Sequence, residues 1–193
     1  MTQTASARTA LNRERVVAAL VTTFSPDPLM RWFYADPADY LAHFPGFVRI
    51  FGGRSFEMGT ADTLEDLRGA ALWLPPGVLW DDEALTAHMM ETLDEERGQA
   101  AAEFDREVSR YLPEEPHWYL AVLGVDPPSQ SRGRGSELIA PRLRQCDEAG
   151  QVAHLVSSNP RNHSFYQRHG FEIMDEIRVA DGPPTWPMIR MPR

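Results

Sequence analysis

Residues 130–135 read Gln-Ser-Arg-Gly-Arg-Gly, and this glycine-rich turn decides how the second half of the chain folds. It follows a near-continuous apolar run at residues 117–125 and opens a segment, 133–149, with apolar side chains at helical spacing. Gly150 is a typical helix stop, and a second apolar run follows it at 152–157. Strand, turn, helix and strand in this order predict a parallel strand pair with a right-handed crossover, whose strands are covered on both faces.

The turn itself has the chemistry of an anion site. Gly133 and Gly135 let backbone N–H groups converge at a helix N-terminus, whose dipole adds positive potential, and two arginines add charge. A dinucleotide-binding turn would need a third glycine, but Leu138 stands at that position. Two glycines alone leave a second interpretation open, which is an ordinary strand-to-helix turn with solvated arginines.

A second pattern, Asn159 to Phe171, reads NPRNHSFYQRHGF and follows the second strand. The two motifs, Q-x-x-G-x-G and N-x-x-x-Y-x-x-x-G-F, together resemble those of the GCN5-related N-acetyltransferase (GNAT) family. Within that family, residues 117–193 resemble the puromycin N-acetyltransferase-like subgroup most closely. The shared marks are W-x-L-x-x-x-G-V at residues 118–125, the P-R-N run, and a proline, Pro141, inside the helix after the turn.

The resemblance implies an α/β (α+β) fold of the GNAT type. Such a fold has a mixed, mostly antiparallel sheet with a splayed parallel strand pair and flanking helices. We expect a flexible N-terminus at residues 1–10 and a single acetyltransferase domain at residues 11–193. Within it, acceptor-side helices are expected at about 12–51 and an acetyl-CoA-binding core at about 117–193.

The resemblance also implies a role for each matching residue. Tyr166 matches the tyrosine that protonates the departing CoA thiolate, and a phenol with a reference pKa of about 10 suits that task. Without the motif, Tyr166 would be interpreted as an aromatic residue packed on a helix face. Asn162 would contact the cofactor arm, and the backbone of Leu123, Gly124 and Val125 would pair with pantetheine. The pyrophosphate would be held, chiefly by backbone N–H groups, at Gln130, Ser131, Arg132, Gly133, Arg134, Gly135 and Ser136.

The chain departs from the family at the expected general base. Many relatives carry glutamate in the second strand, where this chain has Val156. The candidate replacements are His117, His154 and Glu57, although a lone strand histidine is more often a hydrogen-bonded structural residue. Cys146 falls on the apolar face of the predicted helix, which favours a place in the core over a nucleophilic role.

Composition excludes several other chemistries. All 19 basic residues are arginine, so neither a Schiff-base lysine nor a P-loop lysine exists. The net charge of −9 disfavours a nucleic-acid partner. One cysteine excludes an intrachain disulfide and a cysteine-cluster metal site, and we expect no metal cofactor. With no long apolar run and no signal-like start, we expect no membrane partner and a cytoplasmic location.

The first 116 residues carry weaker patterns. Helices are predicted from Asn12, as N-cap, to Phe24 and from Ala38 to Phe51. Residues 55–60 and 69–74 are predicted strands, and residues 81–111 are predicted to be helical with a division at Gly98. Residues 171–179 and 185–191 are predicted to form an antiparallel hairpin. A group of aromatic residues is interpreted as core or, alternatively, as an acceptor pocket: Trp32, Phe33, Tyr34, Tyr40 and Phe44.

These observations predict an acetyl-CoA-dependent N-acetyltransferase that acts on a small amine. The amine would attack the thioester directly in a ternary complex, and the protein would be a monomer or homodimer. Two other functions remain open. The missing strand glutamate is compatible with a non-catalytic acyl-CoA-binding or regulatory module, and the fold could also serve a protein N-terminal acetyltransferase.

Overall fold

The computed structural model describes the backbone of residues 2–193 and the side chains of residues 11–193. Its strands form one six-stranded sheet. In chain order they are β1 (Ala61–Thr63), β2 (Gly69–Leu74), β3 (Trp118–Val125), β4 (Ala153–Ser157), β5 (Glu172–Ile173) and β6 (Trp186–Arg190). The spatial order is β1-β2-β3-β4-β6-β5, in which β3 and β4 pair in parallel and every other described pair is antiparallel.

Eight α-helices flank the sheet over the described residues. They are α1 (Thr2–Phe24), α2 (Pro28–Phe33), α3 (Pro37–Phe51), α4 (Arg54–Glu57), α5 (Asp82–Thr92), α6 (Glu95–Ser109), α7 (Arg134–Ala149) and α8 (His163–Arg168). This mixed sheet, with its single parallel pair between helices, confirms the predicted fold class. None of the described helices combines the length and the apolar character that a membrane crossing needs.

Aspartate caps determine where the shorter helices begin. Asp27 and Asp36 each precede a proline at the first helical position, and each side chain accepts hydrogen bonds from backbone N–H groups of α2 or α3. Asp81 and Asp94 cap α5 and α6 in the same way. The division of the helical stretch at 81–111 therefore lies at Asp94. The prediction of a division at Gly98 is wrong, because Gly98 lies inside α6.

Two other N-terminal predictions are also corrected. Helix α1 begins at Thr2 and not at Asn12, since residues 2–11 contain no proline or glycine that would interrupt it. The predicted flexibility of residues 1–10 lies outside the described side chains. Residues 55–60 form no strand, because the short helix α4 begins at Arg54 and the Ser55 hydroxyl donates to the carbonyl of Gly52. The strand comes later, at Ala61–Thr63.

The two faces of the sheet bury separate apolar clusters. On one face, α7 packs Leu138, Ile139 and Leu143 against the strands, and Cys146 is fully buried there. This burial confirms the predicted place of Cys146 in the core, and it raises the pKa of the thiol to about 11. On the other face, α1, α2 and α3 supply the second cluster.

A β-bulge in β3 opens a gap beside the parallel pair. Leu72 pairs with Val122 while Trp73 pairs with Leu120, which leaves Ala121 without a partner in β2. Only Trp118 and Tyr119 of β3 pair with β4, so the two strands separate beyond this point. The side chains also change faces: Trp118 and Leu120 before the bulge, and Leu123 and Val125 after it, all face the cluster under α7.

The C-terminal hairpin is shorter than predicted. Strand β5 has two residues and pairs antiparallel with β6, and Ile177 and Thr185 form an isolated bridge beyond them. The segment between the two strands contacts helices α2 and α6. Its Asp181 accepts hydrogen bonds from Trp32 of α2 at 2.9 Å and from Arg97 of α6 at 2.7 Å.

Candidate functional site

A large cavity occupies the gap between the separating strands. Its volume is about 870 Å³, and we call it the central cavity. Residues 119–123 of β3 and 155–158 at the end of β4 line one side. Helices α2, α3, α5 and α6 supply most of the remaining wall.

The predicted cofactor residues fall into two groups. Leu123, Asn162 and Tyr166 line the central cavity together. Gly124 and Val125 do not, because a Cβ on Gly124 would come within 2.8 Å of Leu20 and the Val125 side chain is packed in the core under α7. The other predicted residues form the turn beyond β3.

That turn has the backbone geometry of an anion cradle. Ser131 and Gly133 have positive φ angles of 60° and 78°, and Gly133 stands at the N-cap of α7. No side chain caps this helix start, which leaves its first N–H groups to a ligand or solvent. At Gly135, a Cβ would come within 3.0 Å of the Phe165 ring, so glycine lets α8 approach the turn closely.

The side chains of the turn are engaged with the protein rather than pointing together. Gln130 donates to the carbonyl of Val125 at 2.8 Å, and the Ser136 hydroxyl lies 2.8 Å from His169 Nε2. Arg134 forms an ion pair with Asp66 at 2.6 Å. Hydrogen bonding from Arg134 lowers the pKa of Asp66. Ser131 and Arg132 are exposed, so the backbone supplies most of the cradle.

Tyr166 reaches the cavity from α8. It is 8% exposed and packs edge-on against Phe171. Burial, and then the charge of Asp27, raises the pKa of the Tyr166 hydroxyl above its ordinary value. The phenol therefore stays protonated across the neutral range, and its hydroxyl can act as a proton donor.

Asp27 is a buried carboxylate directly behind the cavity wall. It is 6% exposed, and its Oδ1 accepts from the backbone N–H groups of Leu29 and Met30 at 3.1 Å. Its Oδ2 accepts a hydrogen bond of 2.6 Å from the hydroxyl of Ser158, which lines the cavity. Burial raises the pKa of Asp27, against the lowering effect of these three hydrogen bonds.

The three general-base candidates taken from the sequence lie elsewhere. His154 is fully buried between His117 and Tyr119, outside the cavity lining. Burial lowers the pKa of His154 to about 3. Nδ1 of His117 faces the carbonyl of Glu115, and Glu57 is an exposed residue at the end of α4. Val156 does line the cavity, so the position of the family glutamate faces the site without a carboxylate.

The aromatic group divides between core and cavity. Phe33 and Phe44 line the cavity, whereas Tyr34 and Tyr40 are buried behind it. The remaining wall is largely apolar and aromatic, with acidic residues from α5 and α6 at its edge. Partial burial, and then the charge of Asp82, raises the pKa of Asp105 there. The acidic residues that line the cavity are Asp82, Asp94, Glu95 and Asp105.

Sequence reasoning missed the Asp27–Ser158 pair. The Asp-Pro dipeptide signals a helix cap, and Asp36 carries the same signal without reaching the cavity. What distinguishes Asp27 is burial beside β4, which depends on contacts across 131 residues of sequence. Among residues 11–193, no group of three or more metal-ligating side chains lies close enough to hold a metal ion.

A splayed parallel strand pair beside a glycine-rich helix start is the architecture expected of an acetyltransferase domain. The family profile described as "Acetyltransferase (GNAT) domain" matches residues 81–191, which is more than half of the chain. The protein therefore belongs to the GNAT acetyltransferase family.

Solved structures share this fold at low sequence identity. One, titled histone acetyltransferase HPA2 and related acetyltransferase from Corynebacterium glutamicum, has 22% identity and a TM-score of 0.64, covering 93% of this chain and 91% of that one. Arylalkylamine N-acetyltransferase 2 from Aedes aegypti has 14% identity and a TM-score of 0.62, covering 93% and 94%. An agmatine N-acetyltransferase has 15% identity and a TM-score of 0.57, covering 92% and 93%.

Proposed function

We propose that this protein is a cytoplasmic N-acetyltransferase that transfers the acetyl group of acetyl-CoA to the amine of a small molecule. One observation carries the proposal. A single cavity opens between the splayed strands and contains both a protonated phenol, Tyr166, and a hydroxyl, Ser158, that is hydrogen-bonded to a buried carboxylate. Direct transfer from a thioester to an amine needs a proton donor and a proton acceptor on opposite sides of the reacting carbon.

The fit of acetyl-CoA rests on the unpaired edges of β3 and β4. Beyond Tyr119 the backbone groups of β3 on this side have no partner in β4, so an extended pantetheine arm can hydrogen-bond there. The turn at residues 130–136 would hold the pyrophosphate through the N–H groups at the start of α7. In this arrangement Leu123 and Asn162 lie along the arm.

Proton transfer would use Tyr166 at one end and Asp27 at the other. Tyr166 gives its proton to the departing thiolate. The amine proton passes to the Ser158 oxygen while Ser158 passes its own proton to Asp27 Oδ2, which is 2.6 Å away. This relay takes the place of the glutamate that Val156 replaces, so the missing strand carboxylate does not favour a non-catalytic module.

The shape of the cavity favours a small acceptor over a protein N-terminus. Helices α5 and α6 wall the cavity together with α2 and α3, where a peptide would need an open groove. Aromatic walls suit an apolar or aromatic amine, and the four acidic lining residues, which outnumber the one arginine, Arg106, attract its protonated form. Two neighbours named above are arylalkylamine and agmatine acetyltransferases, and both names denote small amines. The resemblance to the puromycin N-acetyltransferase-like subgroup leads us to include amine-bearing antibiotics among the acceptors to test.

The test is the release of free CoA thiol from acetyl-CoA in the presence of a panel of aromatic, aliphatic and antibiotic amines. We expect turnover with at least one small amine. For that amine, Tyr166→Phe should lower kcat by about 10²-fold, because the phenol is the proton donor, and should leave the KM for acetyl-CoA within about twofold. Acetyl-CoA binding without thiol release over the whole panel would support the non-catalytic module instead.

A further inference from the structure

A second cavity lies on the far side of α7, between that helix, the end of α8 and the end of β6. Its volume is about 270 Å³, and it shares no lining residue with the central cavity. Four arginines line it, Arg144, Arg168, Arg190 and Arg193, and Asp147 is the one carboxylate among its lining residues. We call it the arginine pocket. We propose that the arginine pocket binds a free phosphate or a small phosphorylated molecule, at a site separate from the acetyl-CoA turn.

Arg190 supplies the arginine pocket with a buried positive charge that hydrogen bonds hold in place. It is 4% exposed, and its Nε donates to the carbonyl of His169 at 2.9 Å. One terminal nitrogen donates to Asp147 Oδ2 at 2.8 Å. The other terminal nitrogen is buried and has no hydrogen-bond partner among the described residues. A buried guanidinium with an unused donor is costly, and an anion close to it would offset that cost.

The single carboxylate leaves most of the positive charge uncompensated. Asp147 also accepts from the backbone N–H of Arg193 at 2.9 Å, and its hydrogen bond from Arg190 lowers its pKa, so it stays ionised. The other three arginine side chains are exposed around the pocket and form no ion pair within the described part of the chain. Four arginine side chains and one aspartate side chain therefore line the pocket, in a protein whose net charge is −9.

The pKa of His169 is affected by the same local excess of positive charge. Its ring lines the pocket, and its Nε2 lies 2.8 Å from the Ser136 hydroxyl. Burial lowers the pKa of His169, and the charges of Arg168 and Arg190 lower it further. The histidine is therefore neutral at neutral pH, and the arginines alone provide the charge that an anion would meet.

The arginine pocket lies beyond the pyrophosphate turn along α7. Its lining residues on that helix run from Ala140 to Asp147, seven to fourteen positions after Gly133, which caps the helix. At about 1.5 Å per residue, these positions lie roughly 10–21 Å from the helix start, and the contact of His169 with Ser136 links the pocket to the last residue of the turn. Phosphate is the ligand class that fits best, because the planar guanidinium binds phosphate oxygens in pairs. The ribose phosphate of coenzyme A has the same chemistry, so the experiment must separate it from free phosphate.

The experiment is a calorimetric titration of inorganic phosphate into the full-length protein at low ionic strength. We compare the wild type with the double variant Arg144→Gln/Arg168→Gln. Both residues are exposed, so the substitutions should not disturb the fold. A matched control, Arg15→Gln/Arg54→Gln, removes the same charge from exposed positions on α1 and α4. We expect saturable binding that weakens by about tenfold or more in the first variant and by less than about twofold in the control.

Repeating the titration with saturating coenzyme A, and then with dephospho-coenzyme A, identifies the source of the phosphate. Unchanged phosphate affinity in both cases supports a separate site. Competition by coenzyme A but not by its dephospho form would assign the pocket to the cosubstrate and overturn the proposal. Absence of saturable binding, or equal weakening in the two double variants, would also overturn it. None of these outcomes depends on acetyl transfer, so the proposed function stands or falls on its own test.

Discussion

The strand side of the central cavity and its helical side are built from different parts of the polypeptide. On the strand side, the separated edges of β3 and β4 and the turn at residues 130–136 offer backbone groups. On the helical side, α2, α3, α5 and α6 offer side chains. A surface that binds its ligand through backbone groups needs glycines and strands at fixed spacing along the chain. Such spacing is visible as a sequence motif. A surface built from side chains of four helices depends on how those helices pack, and no local pattern records that.

The largest expected effect tests whether the helical side supplies the proton acceptor. We predict that Asp27→Asn lowers kcat by about 10²-fold or more, because the amide cannot take the proton that Ser158 passes on. Asp36→Asn is the matched control, since Asp36 is an exposed Asp-Pro cap at the start of the next helix. Asparagine caps helices as well as aspartate does, so both variants should remain folded.

Steady-state kinetics with an accepted amine, together with thermal unfolding, measure both effects. We expect the Asp36→Asn enzyme to keep its kcat within about twofold. If the Asp27→Asn enzyme were folded and equally active, the carboxylate would be a helix cap and nothing more, and the comparison between the two sides would lose its chemical meaning.

An intermediate effect tests the strand side. Gly133 and Gly150 stand at opposite ends of α7, both with positive φ and with open space where a Cβ would lie. Replacing either by alanine should lower the free energy of unfolding by about 1 kcal/mol, because of strain in the left-handed region. Only Gly133→Ala should also raise the KM for acetyl-CoA, by about five- to tenfold, since its new Cβ crowds the anion cradle.

Gly150→Ala is thus the control for strain alone. Acetyl-CoA titrations that give the same KM for both variants would show that the turn at Gly133 does not contact the cosubstrate, and the backbone-built half of the comparison would fail.

The smallest effect is a shift of pH dependence in Ser158→Ala, which is expected beside a fall in kcat because the variant also removes the hydroxyl of the relay. The hydrogen bond from Ser158 lowers the pKa of Asp27, and burial raises it by more. Ser158→Ala removes the lowering contribution, so the pKa of Asp27 should rise and the acidic limb of the kcat/KM profile should move to higher pH. The hydroxyls of Tyr40 and Tyr166 also feel the charge of Asp27, but burial raises the pKa of both, and they stay neutral in that range.

A profile of kcat/KM against pH, from pH 5 to 9 on the wild type and on Ser158→Ala, makes the measurement. A limb that moved to lower pH, or did not move while kcat fell, would show that Asp27 does not titrate in the catalytic step.

The sequence predicted the fold of the second half well because its signals are local. The apolar runs, the turn and the stop at Gly150 correctly predicted β3, α7 and β4, and Pro141 lies within α7 as expected. In the first half, residues 55–60 were misassigned because a short helix at Arg54–Glu57, with Ser55 hydrogen-bonded to the carbonyl of Gly52, and not apolar periodicity, decides their structure. For the site, the motifs brought Leu123, Asn162 and Tyr166 to one cavity. Asp27 could not be found, since its burial arises from packing against Ser158.

The unpaired residue Ala121 has a consequence for how β3 can vary. A strand with one polar face could not accept an inserted residue, because every side chain after it would move to the wrong side of the sheet. In β3 both faces are buried, and the run at 118–125 is apolar at nearly every position. The change of face therefore costs little in burial. Because β3 is apolar along its whole length, it tolerates one extra residue. That residue opens a binding gap in the middle of the sheet, and the side chains of the core need not change.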